Sequence, residues 1–258
     1  MSSTIYEILR RSCDPLLPPL NRKVRSRTMQ EVKRSERRLS ILDVGGRKSP
    51  YTIGVPADIT IIDLPRETEV QKDLHLGVSD QIANEIKRRR SNIREVIIGD
   101  MTKSDLPSTA YDTVIAVEVL EHVLEDEQFV SEVSRVLVPG GKFIMTTPNG
   151  DFVENKNPDH KRHYKKDQLV DLLTRYFDKV DVEYAIAGGF YRKIGLRSWS
   201  ISRPHHTILS IFGNIVNSMQ SRQVGIAARA IGTHHLIAIA EKTVGSDESP
   251  VRNLLSTI

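Results

Sequence analysis

Three carboxylates each follow a short apolar run, at a spacing that could bind a ribose-containing ligand. Asp43 precedes the glycine pair Gly45 and Gly46. Asp63 follows Asp43 by twenty residues, and Asp100 ends the third run. Glycines directly after a first strand let the backbone approach a ligand, and an acid ending the second strand can accept both ribose hydroxyls. The pattern predicts a binding site at the carboxyl edge of a sheet; its alternative is a tight strand–helix turn with surface acids.

A second group of ionisable side chains follows the fourth apolar run. Glu118, Glu121 and His122 come directly after residues 113–117, TVIAV. A hydroxyl that attacks an electrophile needs a base, and a histidine titrating near neutral pH suits that task. These three residues are therefore candidate bases. The alternative for His122 is that it begins a helix and only satisfies backbone groups.

Seven apolar runs bounded by turn residues predict the strands that position these side chains. They cover residues 39–44, 58–62, 95–98, 113–117, 142–146, 180–186 and 235–240. Helical spacing of apolar residues alternates with them at 79–90, 126–137 and 166–176. Such alternation is typical of a doubly wound sheet covered on both faces. We predict an α/β, Rossmann-like, seven-stranded and mostly parallel sheet, with a helical insertion before the last strand.

Charge is distributed unevenly along the 258 residues. The whole chain has 37 Lys and Arg against 33 Asp and Glu, a net charge of +4. Residues 1–38 carry ten basic and four acidic side chains, and residues 184–240 carry six Lys or Arg, four His and no acid. Basic segments of this length indicate an anionic neighbour: phosphate, nucleic acid or a lipid surface.

Composition places the chain among ordinary globular proteins. It is 39% hydrophobic and 27% charged, which argues against disorder or a fibre. No apolar run is long enough for a transmembrane helix, and the first residues do not match a secretory signal. The lone Cys13 cannot form an internal disulfide. We expect a cytoplasmic protein.

The residues around these runs resemble a known family. The series ILDVGG, IIDL, IGDM, YDTVIAVEVLEHV and RVLVPGGKFIMTTPN is similar to class I S-adenosylmethionine-dependent methyltransferases. The resemblance covers about residues 39–183 and the last strand, and residues 111–149 are its most specific part. Within the family the chain looks most like the type-11 group, which includes quinone O-methyltransferases and enzymes of glycan biosynthesis.

The resemblance implies S-adenosylmethionine as the cofactor and a role for each matching residue. Asp43 and the turn at Gly45 and Gly46 would hold its methionine end. Asp63 would bind its ribose, and Asp100 with Met101 beside it would hold its adenine. Glu118 would lie near the methyl group. The implied domains are a helical cap at 1–38, a cofactor-binding core at 39–187, a recognition insertion at 188–232, the last strand at 233–242 and a tail at 243–258.

The glycine turn departs from the family pattern. Arg47 stands where a second glycine is usual, with Gly46 one place early, and Ser49 stands where a third can occur. Pro50 and Tyr51 still match. Glycine takes left-handed backbone angles at little cost, so this departure predicts strain at Arg47. Weakened cofactor binding is therefore an open alternative.

The family also suggests roles for the residues after the fourth strand. Quinone O-methyltransferases that share E-x-x-E-H are thought to hold a divalent ion there. Two carboxylates and an imidazole could do so. Our prediction is no metal, with Glu118, Glu121 and His122 as the alternative ligand set.

A basic loop after the fifth strand matches a second family segment. His160, Arg162 and Tyr164 fit an H-x-R-x-Y pattern whose loop faces the acceptor in the type-11 group. The alternative is a solvated loop before a helix. The predicted catalytic residues are Glu118, His122, His160 and Tyr164.

The acid-free segment 188–232 lies where similar methyltransferases place substrate-recognition elements. Its most regular feature is one helical stripe, which ordinarily indicates packing against the core. The stripe consists of Ile208, Ile211, Phe212, Ile215 and Met219. Three interpretations compete: a lid over the acceptor, an amphipathic element on an anionic membrane with a lipid-linked acceptor, or an RNA-binding element, for which no motif is present.

The leading hypothesis is a methyltransferase, O-directed, for a small-molecule, lipid-linked or glycan acceptor. Peripheral contact with an anionic membrane is part of it, and a nucleic-acid partner is not expected. The non-enzymatic alternative is a cofactor-binding protein with little turnover. An NAD(P)-dependent dehydrogenase of the same fold is disfavoured, because G-x-G-x-x-G is absent.

Overall fold

One seven-stranded sheet forms the centre of the chain, whose computed structural model describes residues 4–66, 77–197, 199–200 and 202–243. The strands are β1 Ser40–Val44, β2 Asp58–Asp63, β3 Ile93–Ile98, β4 Tyr111–Val117, β5 Leu137–Pro148, β6 Lys179–Ala187 and β7 Thr233–Glu241. Their order is β3-β2-β1-β4-β5-β7-β6. The first five strands pair in parallel, and β7 is antiparallel to both β5 and β6. The predicted fold is confirmed.

Seven α-helices and five 3₁₀ turns connect the strands in the described residues. The helices are α1 Ile5–Ser12, α2 Pro19–Arg34, α3 Asp80–Arg89, α4 Asp126–Val136, α5 Lys166–Thr174, α6 Phe190–Gly195 and α7 Pro204–Gln220. The 3₁₀ turns are Asp14–Leu16, Gly46–Lys48, Met101–Lys103, Leu120–His122 and Ile226–Ala228. No helix among the described residues has both the length and the apolar character needed to cross a bilayer. The predicted tail lies outside the described residues except at its first position.

Apolar packing covers both faces of the sheet. Neighbouring strand residues point to opposite faces, so Val114 packs with Phe129 and Leu169, whereas Ile115 packs with Val24 of α2. All five side chains are at most 1% exposed. Burial of a side chain of this size contributes about 1.5–3 kcal/mol. The strand ends that carry the predicted site are therefore held by a well-packed core.

Strand β5 begins five residues before the predicted position. Gly140 takes a φ of 80°, and the register with β4 shifts between Tyr111 and Thr113. The glycine pair at 140–141 thus forms an irregularity inside the strand rather than the turn before it. A Cβ on Gly141 would lie 2.7 Å from the carbonyl oxygen of Val138, which explains why this position has no side chain.

The basic charge of the N-terminal segment is partly neutralised within the chain. Arg25 of α2 pairs with Asp14 at 2.9 Å. Lys23 and Arg27 both contact Glu183 of β6 at 3.0 Å. The two contacts with Glu183 fasten α2 to the sheet and offset part of the surplus charge that predicted an anionic neighbour for residues 1–38. The Arg25–Asp14 pair lies within that segment and leaves its net charge unchanged.

Helix α7 packs in the opposite orientation to the one predicted. Its buried residues are polar or small: Ser210, Gly213, Asn214, Asn217 and Ser218. Its apolar stripe faces outward, with Ile208 66%, Phe212 52% and Met219 67% exposed. The expectation that this stripe packs against the core is wrong.

Hydrogen bonds set this orientation of α7. Asn214 Nδ2 donates to the carbonyl oxygen of Leu16 at 3.0 Å, and Asn217 Nδ2 donates to that of Ala187 at 2.7 Å. Each bond satisfies a carbonyl at the end of another element. Because buried polar groups need partners, these contacts outweigh the apolar stripe.

The orientation of α7 can be tested by comparing two alanine variants. Asn217→Ala leaves the buried carbonyl of Ala187 without its partner and should lower the free energy of unfolding by about 1–3 kcal/mol. Phe212→Ala, on the exposed face, should lower it by about 0.5 kcal/mol or less. Urea unfolding measures both. A larger loss for Phe212→Ala would mean that its ring is buried.

Candidate active site

A buried carboxylate organises the turn after β1. Asp43 is fully buried and accepts hydrogen bonds from Ser49 Oγ, from the Tyr51 hydroxyl at 3.1 Å and from Thr52 Oγ1 at 2.8 Å. Burial raises the pKa of Asp43, and these donors oppose the rise. Asp43 therefore holds the turn together from beneath, and Ser49 is one of its donors.

The backbone of the turn contradicts the strain predicted at Arg47. The residue with a positive φ is Gly45, at 68°, whereas Arg47 lies in the 3₁₀ turn and is not among the positive-φ residues. A Cβ on Gly46 would lie 2.3 Å from the carboxyl carbon of Asp43. Gly45 thus takes the left-handed backbone angle, and Gly46 leaves room for the Asp43 carboxylate. The second glycine lies one place earlier than in the family pattern, and Arg47 bears no backbone strain as a result.

Asp63 lies at the same sheet edge, at the end of β2. Its Oδ1 accepts the backbone N–H of Leu64 at 2.9 Å. Burial raises its pKa, while that N–H and the guanidinium groups of Arg47 and Arg66 act in the opposite direction. Arg47, which replaces the usual glycine, thus adds positive charge beside Asp63, the residue predicted to bind the ribose.

Asp100 lies two residues beyond the end of β3. Its Oδ1 accepts hydrogen bonds from the backbone N–H and the Oγ1 of Thr102, both at 2.8 Å. Met101 is buried in the core beside it. Because β1, β2 and β3 are parallel neighbours, their carboxyl ends bring Asp43, Asp63 and Asp100 to one edge of the sheet.

Glu118 follows β4 in a strained conformation, with a φ of 54°. Its Oε1 accepts from Thr146 Oγ1 at 3.1 Å, and its Oε2 lies 3.4 Å from His235 Nε2. Burial would raise the pKa of Glu118, but His235 and the hydrogen bonds outweigh burial, and the net shift is downward. Glu118 is therefore held as a carboxylate.

Sequence analysis missed two residues that meet Glu118. His235 of β7 is buried, and its Nδ1 has no hydrogen-bond partner among the described residues. Arg192 of α6 places its Nη2 3.5 Å from His235 Nε2. Burial lowers the pKa of Arg192, and the charge of Glu118 opposes that shift. Both residues lie within 184–240, which contains no acid, and this absence was the one signal that could have pointed to them.

A cavity of about 180 Å³ opens beside this cluster. Glu118, Arg192 and His235 form its polar wall, and Leu196 and Ile186 are among its apolar lining residues. The N-terminal prolines and the buried face of α7 close it. A second cavity, of about 280 Å³, lies at the opposite edge of the sheet around 112–113 and 138–142, away from these side chains.

A second polar cluster joins the turn after β4 to the loop after β5. Ligand atoms of Glu121, His122 and His160 all lie within 4.8 Å of one another. His160 Nδ1 is 2.8 Å from His163 Nε2, and His122 Nδ1 is 3.2 Å from the carbonyl oxygen of Asp159. His122 ends the 3₁₀ turn rather than beginning a helix. Within the described parts of the chain, these three residues, rather than the predicted set containing Glu118, lie close enough together to hold a divalent ion.

Protonation in this cluster is governed by burial. Glu121 is fully buried and both of its carboxylate oxygens lack partners among the described residues. Burial, and then the charge of Glu118, raise its pKa well above the usual value. Burial and the neighbouring His122 and His163 lower the pKa of His160, so its imidazole favours the neutral, proton-accepting form.

Tyr164 and Arg162 serve the structure of the loop. The Tyr164 hydroxyl donates to Asp126 Oδ2 at 2.6 Å, and burial followed by this bond raises its pKa strongly. Arg162 Nη1 donates to the same carboxylate at 2.5 Å, and its Nη2 to the carbonyl oxygen of Leu124 at 2.7 Å. The Tyr164 proton is thus held in a partly buried hydrogen bond within the loop, and the predicted catalytic role of Tyr164 stays a prediction.

Comparison with known proteins finds similarity to methyltransferases. Residues 68–145 match the model of a family described as Methyltransferase domain. A probable S-adenosylmethionine-dependent methyltransferase of Mycolicibacterium smegmatis is 39% identical over 80 residues, which are 29% of this chain and 31% of that protein. Sterol 24-C-methyltransferase of Saccharomyces cerevisiae is 32% identical over 101 residues, or 37% of this chain and 25% of that protein. The matched regions thus span about a third or less of these relatives.

Among solved structures, an S-adenosylmethionine-dependent methyltransferase from Archaeoglobus fulgidus has the same fold. Its TM-score is 0.54 at 15% sequence identity, and the alignment covers 86% of this chain and 94% of that chain.

The protonation of Glu121 predicts how stability depends on pH. Because its folded pKa is raised, its contribution is complete at low pH and is lost as pH rises through the folded value. Glu121→Gln cannot ionise, so its stability relative to the native chain should increase at alkaline pH, by up to about 1.4 kcal/mol per unit of pKa difference. Thermal unfolding from pH 5 to 9 measures this.

The matched control is Glu125→Gln, at an exposed position four residues along. It should shift all melting temperatures equally across the pH series. Parallel curves for Glu121→Gln and the native chain would contradict a raised pKa. A divalent ion that stabilises the native chain but not Glu121→Gln would instead identify the carboxylate as a metal ligand.

Proposed function

Since this chain belongs to the class I S-adenosylmethionine-dependent methyltransferases of the type-11 group, we propose that it transfers a methyl group to an acceptor hydroxyl. The acceptor is a small-molecule, lipid-linked or glycan compound. The observation that carries this proposal is the cavity with Glu118, His235 and Arg192 beside the strand ends that bind the cofactor. A lipid-linked acceptor would be met at the surface of an anionic membrane.

The carboxyl edge of the sheet fits the cofactor. Gly45 is exposed, so its backbone can approach the methionine end. Asp63 would accept the ribose hydroxyls, and Asp100 with Met101 would border the adenine. The bound cofactor supplies an electrophilic methyl group on a sulfonium. The protein then mainly aligns the acceptor and excludes water.

The pair Glu118 and His235 handles the acceptor proton. In the tautomer that donates Nε2–H to Glu118, His235 presents Nδ1 as a proton acceptor. That atom is buried without a partner in the described residues, as expected of a group that a ligand satisfies. The carboxylate of Glu118 stabilises the imidazolium that forms, and Arg192 orients a polar or anionic group of the acceptor.

His160 with His122 is the second candidate base. The lowered pKa of His160 favours its neutral, proton-accepting form. Glu118 lines the cavity, whereas His122 and His160 do not, and this difference favours the pair Glu118 and His235. Glu118 and His235 therefore form the proposed catalytic pair, and the predicted His122 with His160 stays the alternative base.

Cofactor binding is tested by calorimetry with S-adenosylhomocysteine. Asp63→Ala removes the acceptor of two ribose hydroxyls and should weaken binding by about 10²- to 10⁴-fold, since each hydrogen bond to a charged group contributes about 1.5–3 kcal/mol. Asp58→Ala, at the opposite end of β2, is the matched control and should leave affinity unchanged. Equal affinity of both variants would remove Asp63 from the site. Binding of a dinucleotide without binding of S-adenosylhomocysteine would favour a dehydrogenase.

The base is tested by transfer of a tritiated methyl group to an extract of small molecules and lipids. His235→Gln keeps the size of the side chain but cannot accept the proton, and the rate should fall by about 10²- to 10⁴-fold. Affinity for S-adenosylhomocysteine should stay unchanged. His122→Gln is the control, with a small effect expected. The reverse order of effects would assign the proton to the His122 and His160 cluster, and cofactor binding without transfer by the native chain would favour the non-enzymatic alternative.

A further inference from the structure

The outward side of α7 is an apolar surface with no cover among the described residues. We call it the α7 face; it consists of Ile208, Leu209, Phe212, Ile215 and Met219. The least exposed of these five side chains is still 38% accessible. Contiguous exposed apolar residues on a globular protein mark a site of contact with another surface.

The α7 face cannot turn inward without breaking buried contacts. Ser210 Oγ donates to the carbonyl oxygen of Gly195 at 2.8 Å, and Arg22 Nη1 donates to Ser218 Oγ at 2.9 Å. Gly213 packs so closely on α6 that a Cβ would lie 2.8 Å from Gly195 N. The polar side of α7 is thus fixed by contacts within the protein, and the apolar side remains exposed to an external partner.

The ends of α7 carry positive charge. Arg197, Arg203 and His205 surround His206 at its start, where burial and then these three groups lower the pKa of His206. Arg222 follows the helix and is close enough to Arg22 to affect its titration. Residues 184–240 contain no Asp or Glu that could neutralise this charge. Cations at a helix N-terminus also oppose the helix dipole, so an external anion would stabilise them.

We propose that the α7 face docks on an anionic membrane surface. Its apolar residues would lie in the interface, and the arginines near the ends of α7 would contact lipid phosphates. A second copy of this chain fits less well. A two-fold interface would place the α7 face against itself, bringing the two sets of arginines together with no acidic residue from this segment between them. A bilayer satisfies both properties of the surface at once.

Docking in this orientation deepens the proposed function and rests on it for the nature of the acceptor. Asn214 and Asn217 line the acceptor cavity from the buried side of α7, and Leu196, directly after α6, also lines it. The membrane would therefore lie about one helix diameter, roughly 10 Å, from that cavity. A lipid-linked acceptor could reach Glu118 and His235 while its apolar part stays in the interface.

The proposal is tested by flotation of the full chain with phosphatidylcholine vesicles, with and without phosphatidylglycerol, in the absence of cofactor and acceptor. The chain should float with the anionic vesicles and not with the zwitterionic ones, and added salt should weaken the association. The double variant Ile208→Ser with Phe212→Ser should lower partitioning about 10-fold or more. Leu124→Ser, an exposed apolar residue elsewhere, is its matched control.

A second variant keeps the test independent of the apolar substitutions. Arg197→Glu with Arg203→Glu should abolish the preference for anionic vesicles, and a glutamate at the start of α7 is compatible with the helix. Arg88→Glu, exposed on α3, is the control. Circular dichroism checks that every variant is folded.

Three results would overturn the proposal: no flotation of the native chain, equal flotation of the variants, or a dimer in sedimentation that Phe212→Ser dissociates while vesicles are not bound. The last result would assign the α7 face to a second copy. Since flotation needs neither cofactor nor turnover, its failure is distinct from failure of the calorimetry with S-adenosylhomocysteine.

Discussion

Burial of the Asp43 carboxylate is the constraint from which the rest of the site follows. A carboxylate removed from water needs donors, and the turn after β1 supplies them from Ser49, Tyr51 and Thr52. Arg90 extends the network by donating to Thr52 at 2.7 Å, which connects the turn to the end of α3. Gly46 has no Cβ because the carboxylate occupies that space. This network fixes the turn so that the backbone of Gly45 is exposed at the sheet edge where β2 and β3 also end.

The other half of the site depends on an antiparallel strand inserted between two others. Because β7 lies between β5 and β6, it brings His235 next to Pro148 of β5, close to the end of β4. Glu118 has a strained, positive φ there, and its carboxylate contacts Thr146 and His235. Strain at such a position is retained where surrounding contacts over-determine it. The cluster therefore combines a fixed carboxylate with an imidazole, which is the chemistry that removal of a hydroxyl proton requires.

Helix α7 shows how local pattern and tertiary packing can oppose each other. Its asparagines and Ser210 donate hydrogen bonds to carbonyl groups of the N-terminal segment, β6 and α6. Its polar side is therefore buried, and its apolar side is exposed. Asn214 and Asn217 also line the cavity beside Glu118, His235 and Arg192. One helix thus lies between the cavity beside Glu118 and an apolar surface with basic ends.

Much of the fold follows from the sequence alone, because apolar runs alternating with helical patterns leave few arrangements other than a doubly wound sheet. The carboxylates Asp43, Asp63 and Asp100 were found in the same way, since parallel strands bring their carboxyl ends together. Local pattern could not reveal that Asp43 is used by its own turn, that Tyr164 bonds to Asp126, or that His235 and Arg192 meet Glu118. It also predicted the wrong side of α7 as buried. These features depend on contacts between residues far apart in the chain, and hydrogen-bond satisfaction across such contacts decides them only when the tertiary structure forms.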